Sequence, residues 1–471
     1  MPFAPAYRPD PRHPSLGPEF FDVVSAARFP AATIRFRNDQ AAATIGLDML
    51  TDEEWIAHFA RFEPLPGNIP DPLALRYHGH QFRHYNPDLG DGRGFLFAQM
   101  RERETDRLLD LSTKGSGQTP WSRSGDGRLT LKGGMREALA TEMLEALGVL
   151  TSRTFSLIET GEALERQDEP SPTRSAVLTR LSYSHLRIGA FQRLANTGET
   201  AALRRLIDYA IETYFPEAAD ASDPVAALFQ RTLAEVARMG GEWTAAGFVH
   251  GVLNTDNIVI TGESFDYGPW RFLPNFDPSF TAAYFDQMGL YAFGRQFDAL
   301  AWNLARFAEC LAPFSAVETL QAALDPFFDR AVAYTCLSTH RRLFLSDDDE
   351  DALRRSTLFW TAMRATSPPF ERVFFDLAGG ADEARIAQSP IAETYADPAW
   401  AEALSALRAA EPTLPKQELF AAGYFRRPAP LTMLVEEVEA IWEPIAEQDD
   451  WSAFEAKIAE IREARPWLHA G

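Results

Sequence analysis

With 471 residues and a formal net charge of −22, the chain is long enough to bury a sizeable core and too acidic for a broad phosphate-backbone binding surface, so no nucleic-acid partner is expected. No apolar run reaches the roughly eighteen residues that a membrane span needs, and Met1–Pro30 lacks the basic start and apolar core of a secretory signal, so a cytoplasmic monomer is expected. Cys310 and Cys336 are the only cysteines, too few for a disulfide framework or a four-cysteine zinc site, and are read as buried free thiols.

Residues 1–75 are Pro-rich and read as an irregular extension wrapping the core, with one acidic, aromatic helix near Asp52–Phe62. Tyr77–Phe82 carries His78 and His80; a pair at this spacing without nearby Cys or acidic ligands predicts packed or hydrogen-bonded histidines rather than a metal site. Leu89-Gly90-Asp91-Gly92-Arg93-Gly94 then leads into a strand over Phe95–Met100. Such a turn lets backbone N–H groups approach phosphate oxygens, and Arg93 could add a bidentate contact. The same pattern also makes a plain hairpin.

A strand over Leu108–Thr113 ends at Lys114 and enters two glycine-rich loops, Gly115–Pro120 and Ser124–Arg128. Met135, Leu139, Met143 and Leu147 next repeat at four-residue spacing, one face of a helix that Gly148 closes. Glu137 sits in its first turn. A strand lysine followed by a helix glutamate is how kinases fix their phosphate-binding lysine; otherwise Glu137 is a surface residue whose ion pair contributes under about 1 kcal/mol.

Ala176–Arg180 reads as another strand, followed by Ser184–Gly189, so that Arg180 and Arg187 either contact phosphates or serve the structure. From about Leu194 onward the periodicity is helical, over Ala201–Tyr214, Pro224–Ala245, Phe297–Cys310, Val317–Leu337, Asp349–Ala365 and Leu431–Gln448. The expected fold class is α+β: a protein-kinase-like, two-lobed fold with residues 76–193 as a β-rich N-lobe and 194–471 as a helical C-lobe.

The catalytic candidates follow in His250-Gly251-Val252-Leu253-Asn254-Thr255-Asp256-Asn257 and Asp266-Tyr267-Gly268-Pro269. Ile258–Thr261 between them reads as a short strand ended by Gly262. Oxygen donors at both ends of such a strand can converge on one Mg²⁺, which takes few protein groups plus phosphate oxygens and water. Val252 stands where many small-molecule kinases place an Asp, which leaves Asp256 as the one carboxylate in the loop able to act as base, beside Asn257. A surface turn rich in Asn and Asp fits the same residues.

Five ordered blocks resemble one known family: Tyr77–Phe82, Leu89–Arg93, Lys114–Glu137, Arg180–Gly189 and His250–Pro269. Over Phe36–Ala308 the chain closely resembles selenoprotein O, the family of protein adenylyltransferases with a pseudokinase-type fold. The resemblance implies that ATP binds flipped relative to ordinary kinases, and that AMP is transferred to Ser, Thr or Tyr hydroxyls of proteins. By position it implies that Lys114 contacts phosphates and pairs with Glu137, that Gly90, Gly92, Arg93, Asp126 and Gly127 line the ATP site, and that Arg180 and Arg187 hold phosphate groups. Asp256 would be the proton acceptor, with Asn257 and Asp266 on Mg²⁺, Mn²⁺ being the alternative metal.

Several positions depart from the family pattern. Gln118 stands where Arg is common, Gly133-Gly134 replaces a small polar pair, and His78 and Arg83 stand where Gly is usual. Glu411–Arg427 lacks an Asn-Pro-Arg-Tyr type of segment, and Pro466–Gly471 holds no Cys or selenocysteine, so no redox control through a terminal thiol is expected. Two rival readings use the same residues: an ordinary phosphotransferase, and a non-catalytic ATP-binding scaffold in which Val252 marks lost chemistry.

Overall fold

The structure, a computed structural model, describes residues 6–167 and 169–470; residues 1–5 and 471, the ends of the first and last expected segments, lie outside it. The chain is mixed α/β, with an antiparallel sheet followed by helices. Its strands are β1 (Phe21–Val23), β2 (Thr33–Arg37), β3 (Leu73–Leu75), β4 (Gly79–Gln81), β5 (His84–Asn86), β6 (Leu96–Arg101), β7 (Leu108–Lys114), β8 (Leu129–Thr130), β9 (Arg153–Leu164) and β10 (Thr173–Ser182). The main sheet runs β1-β3-β6-β7-β10-β9-β2, with β8 paired to β10 and β4 and β5 forming a separate hairpin.

Register fixes which side chains meet. Lys114 lies opposite Leu178 and Arg180 opposite Ser112. Residues directly opposite share a face of an antiparallel pair, so both cations leave the sheet on one side. On that side Leu157, Ala176 and Leu178 pack against Met135, Ala138 and Leu139 of helix α3 (Leu131–Ala146), whose first turn is capped by the Thr130 hydroxyl accepting from Gly133 N–H. The other face carries Phe97, Leu109, Leu111, Phe155 and Val177, packed with Trp55 and Phe59.

Trp55 and Phe59 belong to the first segment, which is less irregular than its composition suggested. It supplies three strands of the main sheet, together with helices α1 (Asp39–Ile45) and α2 (Asp52–Phe59). Strands this short show too little alternation to be recognised in the sequence. The expected helix near Asp52–Phe62 forms, started by a capping box between Thr51 and Glu54.

The helical part begins with α4 (Ile188–Thr197), α5 (Thr200–Tyr214) and α6 (Pro224–Ala245), and continues after the small ladder of β11 (Phe248–Val249) and β12 (Arg271–Phe272) with α7 (Gln296–Leu311). The helix expected over Val317–Leu337 is two, Val317–Leu324 and Phe327–Leu343. Pro326 separates them, since its ring cannot continue a helix interior.

Helix Ser452–Ala464 returns to cover the outer face of α3. Arg462 grips the buried Glu142 with two bonds, at 2.9 and 2.7 Å, and Arg465 lies 3.5 Å from the same carboxylate. Cys310 and Cys336 are both buried and free. Burial pushes the Cys310 thiol up to about 12, which disfavours thiolate chemistry there. Among the described residues no helix is long and apolar enough to cross a membrane.

Candidate active site

A cavity of about 950 Å³ gathers most of the expected site residues. Gly90, Gly92 and Arg93 line it from the turn before β6, Lys114 from the end of β7, and Asp126 and Gly127 from the loop before β8. Arg180 and Arg187 enter from β10 and the start of α4, and Asp256, Asn257 and Asp266 close the opposite wall. Glu137 stands behind Lys114 with its side chain 1 % exposed.

Charge pairing organises the centre. Lys114 Nζ donates to Glu137 Oε2 at 2.7 Å and to Asp266 Oδ1 at 3.0 Å. Arg180 reaches the same two carboxylates, at 3.4 and 3.3 Å, and leaves its buried Nη1 without a hydrogen-bond acceptor among the described residues. Burial alone would raise the Asp266 carboxyl, but Lys114, Arg180, Arg93 and Arg187 outweigh it and hold the group well below the usual range. Asp266 is therefore an anion, and a third of its side chain, 33 %, is open to solvent.

Asp256 is the opposite case. It sits buried in a short 3₁₀ turn, Thr255–Asn257, and burial lifts its carboxyl to about 7, with Asp266 adding to the rise and Arg187 opposing it. Its Oδ1 has no hydrogen-bond partner among the described residues. A Cβ added to Gly79 would stand 2.9 Å from that oxygen, so the β4–β5 hairpin covers one side of the carboxylate. The neighbouring Asn257 donates its Nδ2 to the Val252 carbonyl at 3.1 Å, which leaves the amide oxygen as the atom it can offer a cation.

Long-range bonds hold this loop. His80 N–H donates to Thr255 Oγ1 at 2.7 Å, Thr255 Oγ1 donates to Gln192 Oε1 at 2.5 Å, and Gln192 Nε2 donates to His80 Nδ1 at 2.8 Å. His78 Nδ1 meets the Tyr85 hydroxyl at 2.6 Å, so His78 and His80 are both hydrogen-bonded as expected.

His250 ties the two acidic segments together. Its Nε2 donates to the Phe265 carbonyl at 2.7 Å, and its Nδ1 accepts from Val252 N–H at 3.4 Å. Burial lowers its pKa, which keeps the ring neutral and suits this one-donor, one-acceptor role. His250→Ala leaves the Phe265 carbonyl unpaired in the core. It should cost about 1–3 kcal/mol, read as a lower melting temperature, and loosen Asp266 enough to slow catalysis.

Ile258–Thr261 is not a strand. Only Val259 pairs, as an isolated bridge to Arg187, before the chain turns at Gly262; its apolar residues reflect complete burial. The sequence reading also passed over residues that shape the pocket. Asp91 lies 3.2 Å from Arg187, whose guanidinium is stacked over Tyr77 and Phe265, 4.3 and 4.9 Å from the ring centroids. Arg166 pairs with Asp126 at 2.8 Å. Asp91 stood inside the glycine-rich turn and Phe265 directly before Asp266, the only local signals either gave.

A sequence model described as protein adenylyltransferase SelO matches residues 6–462 of this chain. The chain belongs to the SelO family. Its relatives include a protein named protein nucleotidyltransferase YdiU from Synechocystis sp., 42 % identical over 96 % of this chain and 97 % of its own length. A protein of the same name from Gloeobacter violaceus is 43 % identical over 96 % of this chain and 94 % of its own; another from Rhodopseudomonas palustris is 36 % identical over 95 % and 91 %. This SelO-family chain is thus a protein adenylyltransferase, with ATP as its nucleotide substrate. The family match continues through the segment after Ala308, where the sequence had shown little likeness.

Proposed function

We propose that the chain transfers AMP from ATP to Ser, Thr or Tyr hydroxyls of proteins, with the nucleotide flipped in a kinase-like, two-lobed fold. Residues 76–193 form the β-rich lobe with strands from residues 1–75, and 194–471 the helical lobe. The observation that carries this reading is the contrast between two carboxylates in one cavity: Asp266, held ionised by cations, and Asp256, raised to about 7 with a free oxygen. Environments that push two acids apart in this way separate a charge-holding role from a proton-accepting one.

The acceptor oxygen attacks the α-phosphorus, an O–P bond forms, the bond to the bridging oxygen of the β-phosphate breaks, and pyrophosphate leaves with that electron pair. Asp256 takes the hydroxyl proton. Lys114, Arg180, Arg187 and Arg93 face the charge that spreads over the phosphate oxygens, and the unpaired Nη1 of Arg180 suits an anionic ligand. Gly90, Gly92, Asp126 and Gly127 line the nucleotide's space.

Asn257 and Asp266 fit Mg²⁺ or Mn²⁺ as oxygen donors. Among the described residues no three His, Cys, Asp or Glu side chains gather in a metal-holding group, so the other ligands of such a cation would have to be phosphate oxygens and water. Such a cation, when bound, neutralises triphosphate charge.

Label position tests the reading. Incubated with Mg²⁺ and ATP labelled on the α- or the γ-phosphate, the enzyme should place only the α label on itself or on an acceptor protein. Label from the γ-phosphate alone would show phosphoryl transfer and end the flipped-nucleotide reading; ATP binding without transfer of either label would favour a scaffold.

A further inference from the structure

Three large apolar side chains stand in solvent between positions 284 and 288: Tyr284 at 83 % exposure, Phe285 at 46 % and Met288 at 85 %. Such clustering on a surface marks an interaction site more often than scattered single residues do. The backbone that displays them is tied down. Asp286 accepts from the N–H groups of Leu290 and Tyr291, both at 2.8 Å, and Arg295 Nη1 donates to the carbonyls of Met288 and Gly289, both at 3.1 Å.

This platform is continuous with the active site. Phe285 packs edge-on against Phe82, ring centroids 5.9 Å apart, and Phe82 against Tyr291 at 5.0 Å. Phe82 N–H and the Tyr291 hydroxyl both donate to Asn254 Oδ1, at 3.1 and 2.7 Å. Asn254 lies in the Asp256 loop and, with Gln81, lines the cavity. Phe82 and Arg83 make the β4–β5 turn in left-handed conformations, φ 49° and 66°. Such conformations cost non-glycine residues roughly 1–3 kcal/mol each and persist only where surroundings hold them.

We propose that Tyr284, Phe285 and Met288 dock the acceptor protein, and that they favour a hydroxyl flanked by bulky apolar side chains. The proposal rests on the adenylyl-transfer reading. ATP is served by the cationic wall of Lys114, Arg180 and Arg187, whereas an apolar platform has nothing to offer a phosphate or a metal. The other reactant is a protein, and its hydroxyl must reach Asp256. A chain of net charge −22 repels any acidic acceptor at long range, whereas apolar contact is indifferent to the acceptor's charge.

The test uses two synthetic peptides that differ only in whether leucines or glycines flank the single serine, with α-labelled ATP and Mg²⁺. The wild-type enzyme should use the leucine peptide about tenfold better in kcat/KM, the effect of partly burying one such side chain. Tyr284→Ser/Met288→Ser changes two exposed residues, so it should keep the wild-type melting temperature and lose the preference. Equal use of both peptides by an enzyme that labels itself, failure to label the leucine peptide by such an enzyme, or a preference intact in the variant overturns docking and leaves adenylyl transfer standing. Absence of α label on enzyme and peptide alike removes both. A wild-type dimer that the variant dissociates, with the preference unchanged, would make the platform a contact between two copies and also overturn the proposal.

Discussion

Asp256→Asn is expected to slow AMP transfer by about 10²–10⁴-fold while ATP still binds, the range for loss of a positioned general base. The amide keeps the shape of the side chain beside Gly79 and removes proton acceptance together with the negative charge. In the wild type kcat/KM should rise as pH passes through about 7, where the raised carboxyl ionises, and level off above it; the variant's residual rate should lack that step.

The same carboxyl makes a stability statement with the opposite sign to the usual acidic residue. Its folded pKa lies above its unfolded value, so the folded state binds the extra proton. The penalty is absent below about pH 4, grows between about pH 4 and 7, and is full above that. Asp256→Asn should therefore melt higher than the wild type at pH 8, by an amount of order 1–4 kcal/mol, and the advantage should vanish at pH 4. Thermal melts at the two pH values decide it. A variant that is dead but no more stable at pH 8 would mean that Asp256 is not a desolvated acid.

Lys114→Met is expected to damage two things at once. ATP affinity should fall by about 10²-fold, because a buried cation facing the phosphates is gone. Stability should fall by about 3 kcal/mol, the low end for breaking a buried ion pair, since Arg180 at 3.4 Å from Glu137 remains as partial compensation. The double variant Lys114→Met/Glu137→Gln should recover much of the stability and none of the ATP affinity. Calorimetric titration with ATP and denaturant melts read the two effects separately. Recovery of ATP binding in the double variant would show that Lys114 serves the fold alone.

What could be read from the sequence was what neighbouring residues encode. The strand ending at Lys114, the helix that carries Glu137, which starts at Leu131 and so places Glu137 in its second turn rather than its first, and the helices over Thr200–Tyr214 and Pro224–Ala245 all carry local periodicity or punctuation. The loop holding Asp256 was legible because one carboxylate stood alone beside an apolar Val252. The hairpin that braces it was not, since the bond from His80 to Thr255 joins residues 175 positions apart. The pairing of Asp91 with Arg187 is equally non-local. Ile258–Thr261 misled for another reason: β-branched side chains recorded its burial, and burial has no preferred backbone shape at that length.

The clamp on α3 has a consequence in time. Arg462 and Glu142 are 320 positions apart, which at the usual pace of translation is roughly 15–60 s. Throughout that interval the ribosome has already delivered Lys114 and Glu137, yet the outer side of the helix bearing Glu137 lies bare. The side chains that line the cavity are thus made long before the clamp that backs the helix bearing Glu137.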